Sequence, residues 1–212
     1  MTCGGFSVGG VHVAGDLGFQ VASRSLTPPA PKSVRKTIPF TDGSYDFSAA
    51  YGRVFFDDRE LSYTFHVLED AAPAAEAEVS RLIMFLSGVH DSEIHDDDSP
   101  FHHFRGSYAG SEVEWDEDGC AATVTATFAV HPWRISDDWC EARLEVGDNV
   151  VDNRGMPARI TVVPDGTMTI QIGALKQTFT GETRADIALP SGESTVKVTA
   201  GGGVIKWREE VA

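Results

Sequence analysis

The chain is 212 residues long, and 17 lysines and arginines against 32 aspartates and glutamates give a formal net charge of −15. Hydrophobic residues make up 42% and charged residues 23%, a globular composition that permits one large β domain or two smaller ones and excludes a disordered chain. No apolar run approaches the roughly 18 residues that cross a bilayer. The start, Met1-Thr-Cys-Gly-Gly-Phe6, lacks the basic and apolar stretches of an export signal, so neither membrane nor secretion is expected. A surface this acidic also repels phosphate backbones, which argues against nonspecific nucleic-acid binding.

In chain order, the glycine-rich start leads into a stiff extended connector, Thr27-Pro-Pro-Ala-Pro31. In Thr41-Asp-Gly-Ser44, Asp42 can hydrogen-bond its own backbone and Gly43 can supply a positive φ, predicting a tight hairpin turn. Arg59 precedes an alternating strand, Glu60–Val67, and either pins a carboxylate such as Asp46 or is an ordinary exposed charge. Val79, Leu82, Ile83 and Leu86 share one helical face, with Pro73 in the first turn and Gly88 placed to end the helix in a left-handed conformation. This predicts one amphipathic helix at about 73–87, with Glu76 and Glu78 near its N-terminal end.

His90, His95, His102 and His103 then cluster with Asp91, Glu93 and Asp96-Asp97-Asp98. The spacing matches no metal motif, Asp96–Ser99 lacks the ligand pattern of a calcium loop, and alternation puts His102 and His103 on opposite faces. A solvated loop followed by a strand is the expected structure, without metal or cofactor. The acidic stretch Glu112-Val-Glu-Trp-Asp-Glu-Asp118 ends in Asp118-Gly119 and reads as an exposed hairpin tip rather than a carboxylate pair for glycoside hydrolysis. A second alternating strand, Ala122–Val130, follows it.

Composition shifts after His131-Pro-Trp133, which predicts a β domain over 1–132 and a small β-sandwich over 133–212. Gly147-Asp-Asn149, Asp152–Gly155, Pro164–Gly166, Pro190–Gly192 and Gly201–Gly203 are read as turns. Between them Arg159–Val163, Thr167–Ile172, Ala185–Leu189, Ser194–Thr199 and Val204–Arg208 read as strands. Cys3, Cys120 and Cys140 are odd in number and unpaired by motif, as expected of reduced thiols. No nucleophile elbow, P-loop or dinucleotide fingerprint occurs, so an enzyme is not expected. Exposed Trp115 or Trp139 could instead stack on a sugar, which keeps a carbohydrate-binding module recognising a cell-wall glycan as the alternative. Trp133 and Trp207 are better placed for a core or an interface.

Taken in order, several tracts resemble the distal tail proteins of long-tailed phages with non-contractile tails. They are the Gly-Phe start, Ile38-Pro-Phe-Thr-Asp-Gly-Ser-Tyr-Asp-Phe-Ser48 and Arg59-Glu-Leu-Ser-Tyr-Thr-Phe65. The helix with Leu86-Ser-Gly88, Ile94–Asp98, Phe101–Gly106, Thr123–Pro132 and Asn153-Arg-Gly-Met-Pro157 follow. The resemblance implies a mainly β fold: an N-terminal β-sandwich with one helix, then a small galectin-like jelly roll. It also implies a homo-hexameric ring, assembled in host cytoplasm and located at the virion tail tip. Such a ring joins the tail tube protein to tail-tip hub and adhesin proteins, and DNA passes through it at ejection. On this reading Asp96, Asp97, Asp98, Glu112 and Glu114 are candidates to line or flank the channel. Asp42, Gly43, Asp46, Arg59, Gly88, Gly106, Asn153 and Gly155 are motif residues with structural roles.

Overall fold

The computed structural model describes residues 4–40, 42–48 and 54–212, so Cys3 and Thr41 lie outside the described residues. Two compact units divide the chain, residues 1–134 with Ala212, and 135–211. Among the described residues no helix is long and apolar enough to cross a membrane.

The first unit begins with β1 (Phe6–Val8), β2 (Val11–His12), β3 (Val21–Leu26), β4 (Arg35–Lys36), β5 (Tyr45–Asp46) and β6 (Arg59–Leu68). It continues with α1 (Ala72–Ser87), β7 (Ser92–Asp96), β8 (His102–Trp115) and β9 (Ala121–Val130). Seven of these strands form one antiparallel sheet in the order β2-β1-β7-β8-β9-β6-β3, while β4 and β5 pair separately as a hairpin. The β6 and β9 alternation survives intact: Leu61, Tyr63, Phe65 and Val67 are buried on one strand, Val124, Ala126, Phe128 and Val130 on the other.

The sheet becomes a sandwich by folding over on β8. Residues 103–106 of β8 pair with β7, and residues 106–115 pair with β9. Gly106 belongs to both ladders, opposite Ser92 and Val130, and a Cβ there would meet the carbonyl oxygen of Ala129 at 2.4 Å. Only glycine fits that corner. Folding brings the sheet's flanks together: the Phe6 ring stacks on Tyr63 at 4.2 Å, and Arg24 of β3 ion-pairs with Asp96 of β7. The helix closes the core with Ala75, Val79, Leu82 and Leu86.

Two helix expectations change. Gly88 has φ −78°, right-handed rather than left-handed, because its N–H closes a tight last turn onto Phe85 and Val89 continues with Leu86. No acidic residue stands in the first turn; Glu78 instead binds Arg81 three residues on.

After β10 (Arg134–Ser136), the second unit holds β11 (Cys140–Leu144), β12 (Gly147–Asn153), β13 (Ala158–Pro164) and β14 (Met168–Ile172). The chain then forms β15 (Leu175–Phe179), β16 (Thr183–Leu189), β17 (Gly192–Ala200), β18 (Gly203–Trp207) and β19 (Glu210–Val211). Two four-stranded sheets, β11-β18-β13-β16 and β12-β17-β14-β15, enclose the core. That order is the eight-stranded jelly roll. Gly147-Asp-Asn149, expected as a turn, lies inside β12, where its residues pair with β17. Asn149 serves strand and turn at once, since its amide donates to the Glu145 carbonyl at 2.8 Å.

Candidate functional site

The site candidates separate by which side of a strand they occupy. In the acidic run, alternation along β7 turns Ile94 and Asp96 inward. Asp96 is 3% exposed, pairs with Arg24 and accepts a hydrogen bond from the Tyr63 hydroxyl at 2.9 Å, so it is a core group and not a channel-lining one. Burial, and then the Asp96 charge beside it, pushes the Tyr63 phenol well above its ordinary value. Burial works against the Arg24 charge, but Asp96 more than offsets it and holds the guanidinium protonated. Asp97 fixes the start of the chain, accepting from the Gly5 N–H at 2.5 Å and from His12 at 3.2 Å. Asp98 is exposed, its own N–H donating to Asp96 at 2.9 Å.

Glu112 and Glu114 reach the surface through a bulge. Before it, Phe104 and Tyr108 of β8 face the core; the register shifts between Tyr108 and Gly110, and Val113 then packs inward. One extra residue reverses the alternation. Gly110, at φ +150°, supplies the backbone conformation. Both glutamates consequently stand outward on a face built in cross-strand rows. One row runs Ser25, Ser62, Thr127, Gly110; the next runs Ser23, Thr64, Thr125, Glu112; a third runs His66, Thr123, Glu114. Ser62 and Thr127 hydroxyls lie 3.3 Å apart, and His66 lies 3.3 Å from the Thr123 hydroxyl. None of these row positions is lysine or arginine, and the arginine of β3, Arg24, points the other way. The face offers hydroxyls and negative charge, which repel rather than hold a polyanion.

The remaining motif residues are scaffold. Gly43 has the expected positive φ, +79°, beside exposed Asp42, but it lies in a β4–β5 connection running from residue 37 to 44 rather than in a tight hairpin turn. Arg59 does not pair with Asp46. Its side chain is buried and donates to the carbonyls of Thr27 at 2.7 Å and Pro132 at 3.1 Å, tying two proline-bearing segments to the start of β6. Asp46 instead caps Ser48 and lies 3.5 Å from Arg35, and these hydrogen bonds hold its carboxyl below the usual range. In the jelly roll, fully buried Asn153 donates to the carbonyls of Met156 at 2.8 Å and Pro190 at 3.2 Å, and accepts from Gly155. A Cβ on Gly155 would meet the Glu210 backbone at 2.7 Å.

Of the tryptophans, Trp115 is 43% exposed and borders an open depression of about 460 Å³ with His66, Leu68, Glu114 and Asp116. Trp139 already carries the Arg208 guanidinium over its ring at 4.9 Å. Trp133 packs edge-on against Phe56, and Trp207 sits in the jelly-roll core. Cys120 and Cys140 are free thiols, and burial pushes that of Cys140 up. The expected solvated loop is instead largely strand β7, and its register brings together three members of the histidine–carboxylate cluster: Glu93, His95 and His103 meet across β7 and β8, with their ligand atoms within 4.8 Å of one another. The i, i+2 spacing of Glu93 and His95 was the available signal.

No protein-family model and no curated protein matches the chain. Solved structures do. The architecture, a folded-over sheet with one helix followed by a jelly roll, is similar to that of a solved phage hub protein. In particular, it matches the crystal structure of the SPP1 Dit (gp 19.1) protein, described as a paradigm of the hub adsorption apparatus in phages infecting Gram-positive bacteria. The TM-score is 0.72 at 17% identity, over 98% of this chain and 99% of that one. The phage P2 baseplate, in its activated conformation with Ca, matches at a TM-score of 0.40 and 5% identity, over 89% of this chain and 90% of that chain.

Proposed function

We propose that this chain is a structural, non-catalytic subunit of a phage tail tip, forming a hexameric ring between the tail tube and the tail-tip hub or adhesin proteins. The observation that carries the reading is the correspondence of both units, in one chain and one order, with the SPP1 Dit fold. Two surfaces support it. The β4–β5 hairpin exposes Val34, Ile38, Tyr45 and Phe47, and Phe40 beside it stands fully in solvent at φ +67°. A two-stranded hairpin gains little stability alone, and an exposed apolar patch of this kind suits contact with the next copy in a ring. The hydroxyl and carboxylate face of β3, β6, β9 and β8 suits the wall past which DNA moves, and Glu60, Glu112 and Glu114 are its carboxylates.

Negative-stain imaging of the purified protein and of tails carrying it tests the ring. Six-fold rings are expected; a lone subunit inside assembled tails overturns the reading. Glu112→Lys with Glu114→Lys is expected to slow DNA ejection while leaving assembled tails intact. Trp115 and its depression favour one second reading, glycan binding. A glycan array on which binding disappears with Trp115→Ala would support it over the ring.

A further inference from the structure

We propose that Glu93, His95 and His103 form a binding site for one divalent transition-metal ion of the zinc class. Strand geometry assembles the site. Glu93 and His95 are two residues apart on β7, so both side chains leave the same, outward face. His103 is the direct cross-strand partner of His95, and the two imidazoles lie 5.2 Å apart.

The Glu93 carboxylate bridges them, one oxygen 3.8 Å from His95 Nε2 and the other 3.7 Å from His103 Nε2. Ligand atoms about 2.0–2.1 Å from a tetrahedral ion lie roughly 3.3 Å from one another. The two carboxylate–imidazole separations need a contraction of about half an ångström, and the widest separation among the three ligand atoms, at most 4.8 Å, one of up to about 1.5 Å, within reach of side-chain rotation at exposed His95 and Glu93. Two neutral imidazoles and one carboxylate select zinc, cobalt or nickel over calcium or magnesium, which prefer oxygen throughout. Three protein ligands also leave one position for water.

Burial gives the site a fixed wall and a mobile one. The His103 side chain is 2% exposed, while those of His95 and Glu93 are 47% and 50% exposed and able to adjust. The nearest competing cation is already engaged: Arg105, opposite Glu93 in the ladder, forks onto Asp91 at 2.7 and 2.9 Å. His102, on the other side of β8, takes no part. A bound ion would bridge the β7–β8 ladder three residues before the Gly106 corner and raise the stability of the folded state by mass action.

The inference does not depend on the ring reading. Full-length protein, stripped with a chelator and dialysed, is titrated with zinc chloride by calorimetry and with cobalt chloride by visible absorption. One equivalent of each is expected to bind, with a cobalt spectrum of four- or five-coordinate character. His95→Ala and Glu93→Gln, both at exposed positions, are each expected to weaken binding about tenfold or more, and His102→Ala to leave it unchanged. No saturable one-equivalent binding by the parent protein overturns the proposal. So does parent-like affinity in His95→Ala and Glu93→Gln, or a loss in His102→Ala equal to that in His95→Ala.

Discussion

The two units solve the same problem, closing β-sheets around a core, with different chemistry. The first folds a single sheet over on itself and fills the bend with rings: Phe128 touches Phe6, Tyr63 and Tyr108 edge-on, and Phe104 and Phe65 complete the set. It also buries an ion pair, Arg24 with Asp96, and a phenol bound to it. The jelly roll packs mainly aliphatic residues, including Leu144, Ile160, Ile170 and Val196, and its fully buried polar side chain is the neutral Asn153. A sheet that must fold on one strand has two flanks that apolar contact alone could join in several registers. A directional charge pair selects one of them. A jelly roll has its pairing dictated by strand order, so a neutral amide that braces a loop is enough.

That contrast can be broken at several points. Phe128→Ala removes the ring at the centre of the aromatic cluster and is expected to cost about 4 kcal/mol in urea unfolding. Hydrogen exchange should place the loss in the first unit and leave the jelly-roll strands protected. Asp96→Ala leaves a partly buried guanidinium and a buried phenol without their acceptor, for an expected loss of about 3 kcal/mol. If that variant unfolds like the parent, charge does not hold the flanks. Asn153→Ala strands several carbonyls and the Gly155 N–H, for about 2 kcal/mol, with exchange increasing around residues 153–156 and 189–190.

Tyr63 sharpens the comparison through pH. Its folded value lies above the ordinary 10.0, so below that pH both folded and unfolded states keep the proton and the group adds no slope. As pH rises past 10.0 the unfolded chain ionises first, and the first unit loses stability. Urea midpoints compared at about pH 9 and about pH 11 should show a shallower loss in Tyr63→Phe. At the small end, Asp46→Ala removes an exposed partner of Arg35 and is expected to leave the melting temperature unchanged.

Much of this plan is written locally. The helix follows from apolar spacing at Val79, Leu82 and Leu86, and β6 and β9 from strict alternation, because each needs only neighbours along the chain. Five jelly-roll strands from Arg159 onward are legible for the same reason, bounded by proline and glycine turns, while β15 at Leu175–Phe179 escapes the pattern. What stays hidden depends on partners far away. Asp96 looks like its neighbours Asp97 and Asp98 until Arg24, 72 residues earlier, is folded against it. Arg59 seeks carbonyls rather than a carboxylate because both come from connectors whose path only the fold defines. The meeting of Glu93, His95 and His103 is likewise a property of register. The acidic face was half legible: the carboxylates were identified, but the hydroxyl rows around them come from three other strands.

The extra residue at Ala109–Gly110 has a further consequence for how this surface tolerates change. As far as folding goes, side chains at 112 and 114 can be exchanged in size and sign, since neither supports the interior. Deleting a single residue there would instead drive two carboxylates into the hydrophobic layer and expel Val113 to solvent. The outward charge of this strand is therefore open to substitution, while its length is not.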